Sequence, residues 1–253
     1  MRDEALPRRR FGAMSRRAAV TGAALALMAG LSACDTTMKP AEGDMALGAA
    51  EGAKVTVIEY ASVTCGHCAQ WQAQVWPAFK AKYVDTNKVR YVFREFPTQP
   101  VDVATAGFLV ARCAGPDRYF DVVHELMARQ EEMFSAASPR PVLLDIATKA
   151  GLSEAQFQTC LSDKAAIEKL DARIKAGLAA GVDGTPAFFV NGEKVVDASL
   201  AGLSEKIDAA LAKPCRPQGP YGPPDWPGIC RVRSGLYEIG PTDSHAPAHG
   251  RLP

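Results

Sequence analysis

Neither sign of charge dominates this sequence: 29 Lys and Arg face 28 Asp and Glu, a formal net charge of +1. That balance leaves no global field to draw the chain to nucleic acid or to an acidic surface, so nucleic acid is not expected as a partner and function has to reside in a local site. Long apolar runs are missing too. The uncharged stretch 18–33 is rich in Ala and Gly and falls short of the ~20 residues that span a bilayer. Metal-ligand patterns are scarce. A zinc site usually needs a second Cys-x-x-Cys or a His pair, and no other cysteine repeats the spacing of Cys65 and Cys68. Haem attachment would place His directly after Cys68, where Ala69 stands. His124-Glu125 is followed at the fifth position by Ala128 rather than a second His, which removes the zinc-protease helix. His124 reads as a helix-face residue, and metal capture by His245 and His249 is a minor alternative. There is no internal repeat, and nothing calls for a cofactor.

What is present begins with an address. Arg8, Arg9, Arg10, Arg16 and Arg17 precede the 18–33 run, which suits a signal peptide over 1–33. Leu31-Ser32-Ala33-Cys34 resembles the bacterial lipobox, which implies lipid on the Cys34 thiol and a domain tethered to a membrane; two or more acyl chains exceed the marginal anchoring of one. Ser15-Arg16-Arg17 faintly resembles a twin-arginine signal, and either Met1 or Met14 can be the start. Residues 34–50 lack a hydrophobic period and suit a linker.

Residues 54–60 alternate with period two, so Glu59 points with Val55 and Val57. Helical spacing at Trp71, Val75 and Phe79 predicts a helix over 69–82, and a second strand follows over 89–94. From 101 to 180 the pattern is helical: a helix ending at Gly115, another over 117–131, a third ending at Gly151, and a fourth opened by a Ser153/Gln156 capping box. A fifth presents Ile167, Leu170, Ile174 and Leu178 as one stripe. Phe108, Phe120, Phe134 and Phe157 are expected in the core of this part. Residues 187–196 carry a hairpin turned at Asn191-Gly192, and a helix over 200–213 closes the fold. The tail 214–253 holds nine of the 18 prolines and cannot form a core of its own. The division is thus 51–100 and 181–213 as two parts of one α/β fold, with 101–180 inserted between them.

Cys65 stands at a strand-to-helix junction, where unpaired N–H groups and the positive end of the helix dipole stabilise a thiolate. His67, if protonated, adds a nearby charge. Only the reduced form has the thiolate, so its stabilisation makes the Cys65–Cys68 disulfide more oxidising. Cys68, one turn in, is expected to be covered and to keep a raised pKa. Glu59 is either the carboxylate that takes its proton or a strand-end residue reaching solvent.

Cys65-Gly66-His67-Cys68, with Glu59 six residues earlier and 184–192 (GTPAFFVNG) downstream, resembles the thioredoxin superfamily. The helical insert narrows the likeness to DsbA-like thiol:disulfide oxidoreductases, over about 51–212. The resemblance implies a thioredoxin fold with an inserted helical domain and a cis Pro186 lying against the active-site disulfide. It also implies that Thr185 offers backbone groups to an extended substrate. The expected activity is disulfide oxidation of exported, unfolded or reduced proteins on the periplasmic side, by a monomer reset by a membrane redox partner. A reductase or isomerase of the same fold, or a metal-binding or holdase module, are the alternatives. The Gly-His dipeptide departs from the Pro-His of the best-known bacterial oxidases, and the tail lies outside the family pattern.

Seven cysteines become six if Cys34 is lipidated. Cys113–Cys160 and Cys215–Cys230 then pair beside Cys65–Cys68, although free thiols remain possible at both and connectivity does not follow from sequence.

Overall fold

The computed structural model describes residues 40–213. The signal segment, Met14, Cys34, Cys215, Cys230, His245 and His249 lie outside the described residues.

Five strands form one mixed sheet in the order β1-β3-β2-β4-β5. They are β1 (Met45–Gly48), β2 (Thr56–Ala61), β3 (Arg90–Glu95), β4 (Ala187–Val190) and β5 (Glu193–Val195). β2 and β3 are parallel, with Ala61 opposite Glu95, while β1 runs antiparallel to β3 and β4 antiparallel to β2. The β4–β5 turn puts Asn191 and Gly192 both at positive φ, 49° and 83°, the left-handed pair that a two-residue hairpin requires. Asn191 also accepts from the Thr56 N–H at 2.8 Å and donates to the Lys54 carbonyl at 3.1 Å, so the turn locks onto the start of β2.

Residues 34–50 were expected to be a linker, and β1 corrects this. Met45 and Leu47 pack on the core, and Asp44 is fastened to Arg94 by two bonds of 2.9 Å. A four-residue strand of Met, Ala, Leu and Gly has no β-branched residue and too short a period to register as a strand.

Helix α1 (Gly66–Gln74) follows the first cysteine, α2 (Trp76–Phe79) continues after a bend at Val75, and one π-helical segment covers Lys80–Val84. The single helix expected over 69–82 is broken because Pro77 has no N–H for the Ala73 carbonyl. Trp71 and Phe79 are buried as the spacing predicts.

The inserted part contains α3 (Val101–Cys113), α4 (Pro116–Ala128), α5 (Gln130–Ser135), α6 (Arg140–Lys149), α7 (Glu154–Ser162) and α8 (Lys164–Ala179); α9 (Leu200–Ala212) closes the fold. The capping box at Ser153 and Gln156 has both of its bonds. Cys113 and Cys160 are joined as a disulfide between the ends of α3 and α7.

Two expectations in this part fail. The helix expected over 117–131 stops at Arg129, whose backbone leaves the helical region while its guanidinium binds Glu132 and Asp145. After that break α5 turns Met133 inward and Phe134 outward, 45% exposed, so Phe134 is not core. On α8, Ile167 and Leu178 are 37% and 57% exposed, and the buried positions are Leu170 and Gly177. A Cβ on Gly177 would stand 3.1 Å from Tyr60 and 3.2 Å from Phe96, so this helix meets the sheet through bare backbone rather than through a large apolar side chain.

The two faces of the sheet have separate cores. Val57, Tyr91, Phe93 and Phe188 join the main cluster under α1 to α4, while Ile58, Tyr60, Val92 and Phe189 form a smaller cluster with Val182 on the other face. Glu95, at the end of β3, is fully buried and receives Arg112 from α3, Arg173 from α8 and the Tyr119 hydroxyl from α4. One carboxylate therefore ties the sheet to three helices of the insert.

Candidate active site

The loop from β2 into α1 carries the reactive cysteines. Cys65 is the N-cap residue of α1, with extended backbone (φ −84°, ψ 116°), and its sulfur accepts the Cys68 N–H at 3.2 Å. A sulfur so placed occupies the position usually taken by a serine or aspartate oxygen, and it faces the positive end of the helix. The loop beneath it is held by hydroxyls. Ser62 Oγ bonds Thr64 Oγ1 at 2.9 Å and accepts the Thr98 N–H at 3.0 Å, while Thr64 Oγ1 donates to the Thr98 carbonyl at 2.9 Å.

Both active-site sulfurs are thiols in this structure. The Cys65 thiol is held down to about 5, first by a bond from the Cys68 thiol, then by the Thr185 hydroxyl and the backbone N–H groups of Cys68 and His67, against the opposing effect of burial. Cys68 moves the other way: burial pushes it well up, and the neighbouring Cys65 and Glu59 push it further. The pair is therefore asymmetric. Cys65 is the available thiolate and Cys68 is a covered thiol that needs a proton partner.

His67 contributes its backbone N–H. Its imidazole is exposed and makes no hydrogen bond among the described residues.

Glu59 is 1% exposed, which rules out the strand-end residue reaching solvent. It points with Val57 into the main core, and burial first, then the Cys65 charge, raise its pKa to about 8, against the opposing bond from the Tyr91 hydroxyl. A carboxyl group of that kind is mostly protonated at neutral pH and can both give and take a proton.

Thr185 and Pro186 precede β4, the neighbour of β2, and the peptide bond between them is cis. When protonated, Cys65 Sγ donates to the Thr185 carbonyl at 3.4 Å, which brings the downstream segment directly onto the reactive sulfur. Cys65, Cys68, Thr185 and Pro186 are thus gathered at one end of the sheet, and Glu59 faces the same interior. Trp71 braces the site from behind, donating to the Ala198 carbonyl at 2.8 Å and packing against Phe188 at 4.7 Å.

Two residues escaped the sequence reading. Tyr91 shares a face with Val89 and Phe93, so the period of its strand contained the signal. Gln130, which donates to the carbonyls of Val63 and Cys65, follows a helix break that no turn residue marks. Among the described residues no group of three His, Cys, Asp or Glu is gathered as a metal site requires, and no helix is long and apolar enough to cross a membrane.

Comparison with known proteins agrees with this geometry. A sequence model of the family described as Thioredoxin matches residues 40–209. A Rickettsia bellii protein named "Putative protein-disulfide oxidoreductase" is 37% identical over 177 residues, which is 69% of this chain and 67% of that protein. The chain spans between 63% and 67% of the length of the Rickettsia relatives it matches. The crystal structure of Wolbachia pipientis alpha-DsbA1 superposes with a TM-score of 0.64 at 26% identity, covering 70% of this chain and 95% of that one. BdbD from Bacillus subtilis, at 18% identity, shares the fold with a TM-score of 0.62, covering 68% and 95% of the two chains.

Proposed function

The chain belongs to the thioredoxin family as a DsbA-like thiol:disulfide oxidoreductase, and from that premise we propose that it is a disulfide oxidase of exported proteins. The observation that carries this reading is the N-cap position of Cys65, whose thiol is held down to about 5 while Cys68 is pushed up. Stabilising the thiolate favours the reduced enzyme, and so drives the disulfide to be passed on.

In the forward direction a client thiolate attacks Cys65 Sγ. The Cys65–Cys68 bond breaks, and Cys68 leaves with its electron pair and takes a proton from Glu59, the buried acid that faces the same interior. A second client thiolate then attacks the client sulfur of the mixed disulfide, and Cys65 leaves as the stabilised thiolate. The client has lost two electrons and the enzyme has gained them. In the reverse direction Glu59 takes the proton of Cys68 as that sulfur resolves a mixed disulfide. Thr185, beside the cis Pro186, offers its backbone to an extended client chain.

Reset by a membrane redox partner, location on the periplasmic side and attachment through a lipid on Cys34 belong to the same proposal. They are supported by the 18–33 run and the Leu31-Ser32-Ala33-Cys34 sequence. The test has two arms. Cys68→Ser is expected to accumulate disulfide-linked client adducts while Cys65→Ser accumulates none, and equal behaviour of the two overturns the roles. Equilibration with glutathione is expected to give a potential above about −180 mV; a value near −270 mV, like that of thioredoxin, makes the protein a reductase instead.

A further inference from the structure

Gln130 opens α5 immediately after the break at Arg129 and is 9% exposed, with its amide turned into the protein. Its Nε2 carries two hydrogens, and both find acceptors in the loop between β2 and α1: the Val63 carbonyl at 2.8 Å and the Cys65 carbonyl at 3.1 Å. The Cys65 carbonyl also accepts the Ala69 N–H at 3.1 Å, the first bond of α1. One side chain of the insert therefore spans the residues that set the direction of the reactive sulfur.

We propose that Gln130 is a positioning residue for Cys65, fixing the N-cap backbone at which the sulfur meets the Cys68 N–H and thereby tuning how strongly the disulfide oxidises. This rests on the thiol-exchange reading above. The amide touches neither sulfur and acts through the loop. Its effect differs between redox states, because only the reduced protein carries a charged sulfur for the helix N-terminus to stabilise. Without the two donors the loop relaxes toward other partners, and the thiolate loses the fixed alignment that gives the helix end its value. A residue that merely joined the insert to the loop would stabilise the oxidised and reduced forms equally. It would then leave the potential where it was.

The experiment uses the full chain and two variants. Gln130→Leu keeps the bulk and removes both donors; Gln130→Glu keeps the shape but donates only when its carboxyl group is protonated. For Gln130→Leu the equilibrium constant with glutathione is expected to shift about tenfold toward the disulfide form, which is about 30 mV on a two-electron couple. The Cys65 titration, followed by thiolate absorbance, is expected to move up by about one pH unit. For Gln130→Glu, whose protonated carboxyl group restores one of the two donors, the constant is expected to lie nearer that of the unaltered protein at acidic pH and to diverge as pH rises. An unchanged constant, together with equal falls in the unfolding midpoints of the oxidised and reduced forms, overturns the proposal. If Gln130→Leu does not fold, a Gln130→Glu profile parallel to that of the unaltered protein overturns it alone. An unaltered protein that fails to exchange with glutathione defeats the thiol-exchange reading instead.

Discussion

The Tyr91 hydroxyl donates to Glu59 from the neighbouring parallel strand, inside a core that holds no other partner for that carboxylate among the described residues. The bond opposes the rise that burial imposes on Glu59 and so sets where the buried acid changes protonation. Tyr91 is itself clamped by Trp76, with ring centres 4.7 Å apart, and by Phe79 at 6.0 Å, so the donor cannot swing away.

Tyr91→Phe is therefore expected to move the Glu59 titration upward by about one unit, the value of a bond to a charged group of roughly 1.5 kcal/mol. The measurement is the pH profile of exchange with a dithiol peptide. A profile that does not move separates Glu59 from the rate.

Glu59 also makes stability depend on pH. Its folded pKa of about 8 lies above the ordinary 4.5, so between those values the unfolded chain releases a proton that the folded one keeps. Stability falls as pH rises across that window, by something on the order of 4 kcal/mol in total. Glu59→Gln, which has no proton to lose, is expected to flatten that part of the curve in chemical denaturation from pH 4.5 to 8 and to be the more stable protein at its upper end.

Cys65 works with the opposite sign, and only in the reduced protein. Its folded value of about 5 lies below the ordinary 9, so the stabilisation is full above pH 9 and is lost as pH falls toward 5. The reduced form is expected to gain stability relative to the oxidised form as pH climbs from 5 to 9. Parallel denaturation curves for the two forms across that range would contradict the lowered thiol.

Much of this arrangement was legible in the order of residues because it depends on local rules. The alternation that places Glu59 with Val57, the turn at Asn191-Gly192 and the capping box at Ser153 are each written within a few positions. What stayed hidden depends on distant partners. Gln130 and Cys65 lie 65 positions apart, and nothing in an Arg-Gln pair predicts that a helix breaks there to aim an amide at a loop. β1 was missed because its four residues are held by pairing with β3 and by the Asp44–Arg94 ion pair rather than by their own propensity. The stripe on α8 misled because a glycine, not Leu178, makes the close approach to the sheet.

The buried junction at Glu95 invites a direct test of stability. Glu95→Ala leaves Arg112 and Arg173 largely covered and without their shared carboxylate, and is expected to cost about 3 to 5 kcal/mol in urea denaturation. Replacing all three with apolar residues of similar volume is expected to recover much of that loss.

β1 runs antiparallel to β3, so residues 40–44 join the sheet at the edge where β2 ends, and Cys65 follows only four positions after Ala61. Two strand spacings, about 10 Å, separate β1 from β2 along that edge. The entry to β1 is thus fastened near the rim that bears the reactive sulfur, Asp44 by Arg94 and the Gly43 carbonyl by Arg112, so a pull on that segment is borne first by two arginines.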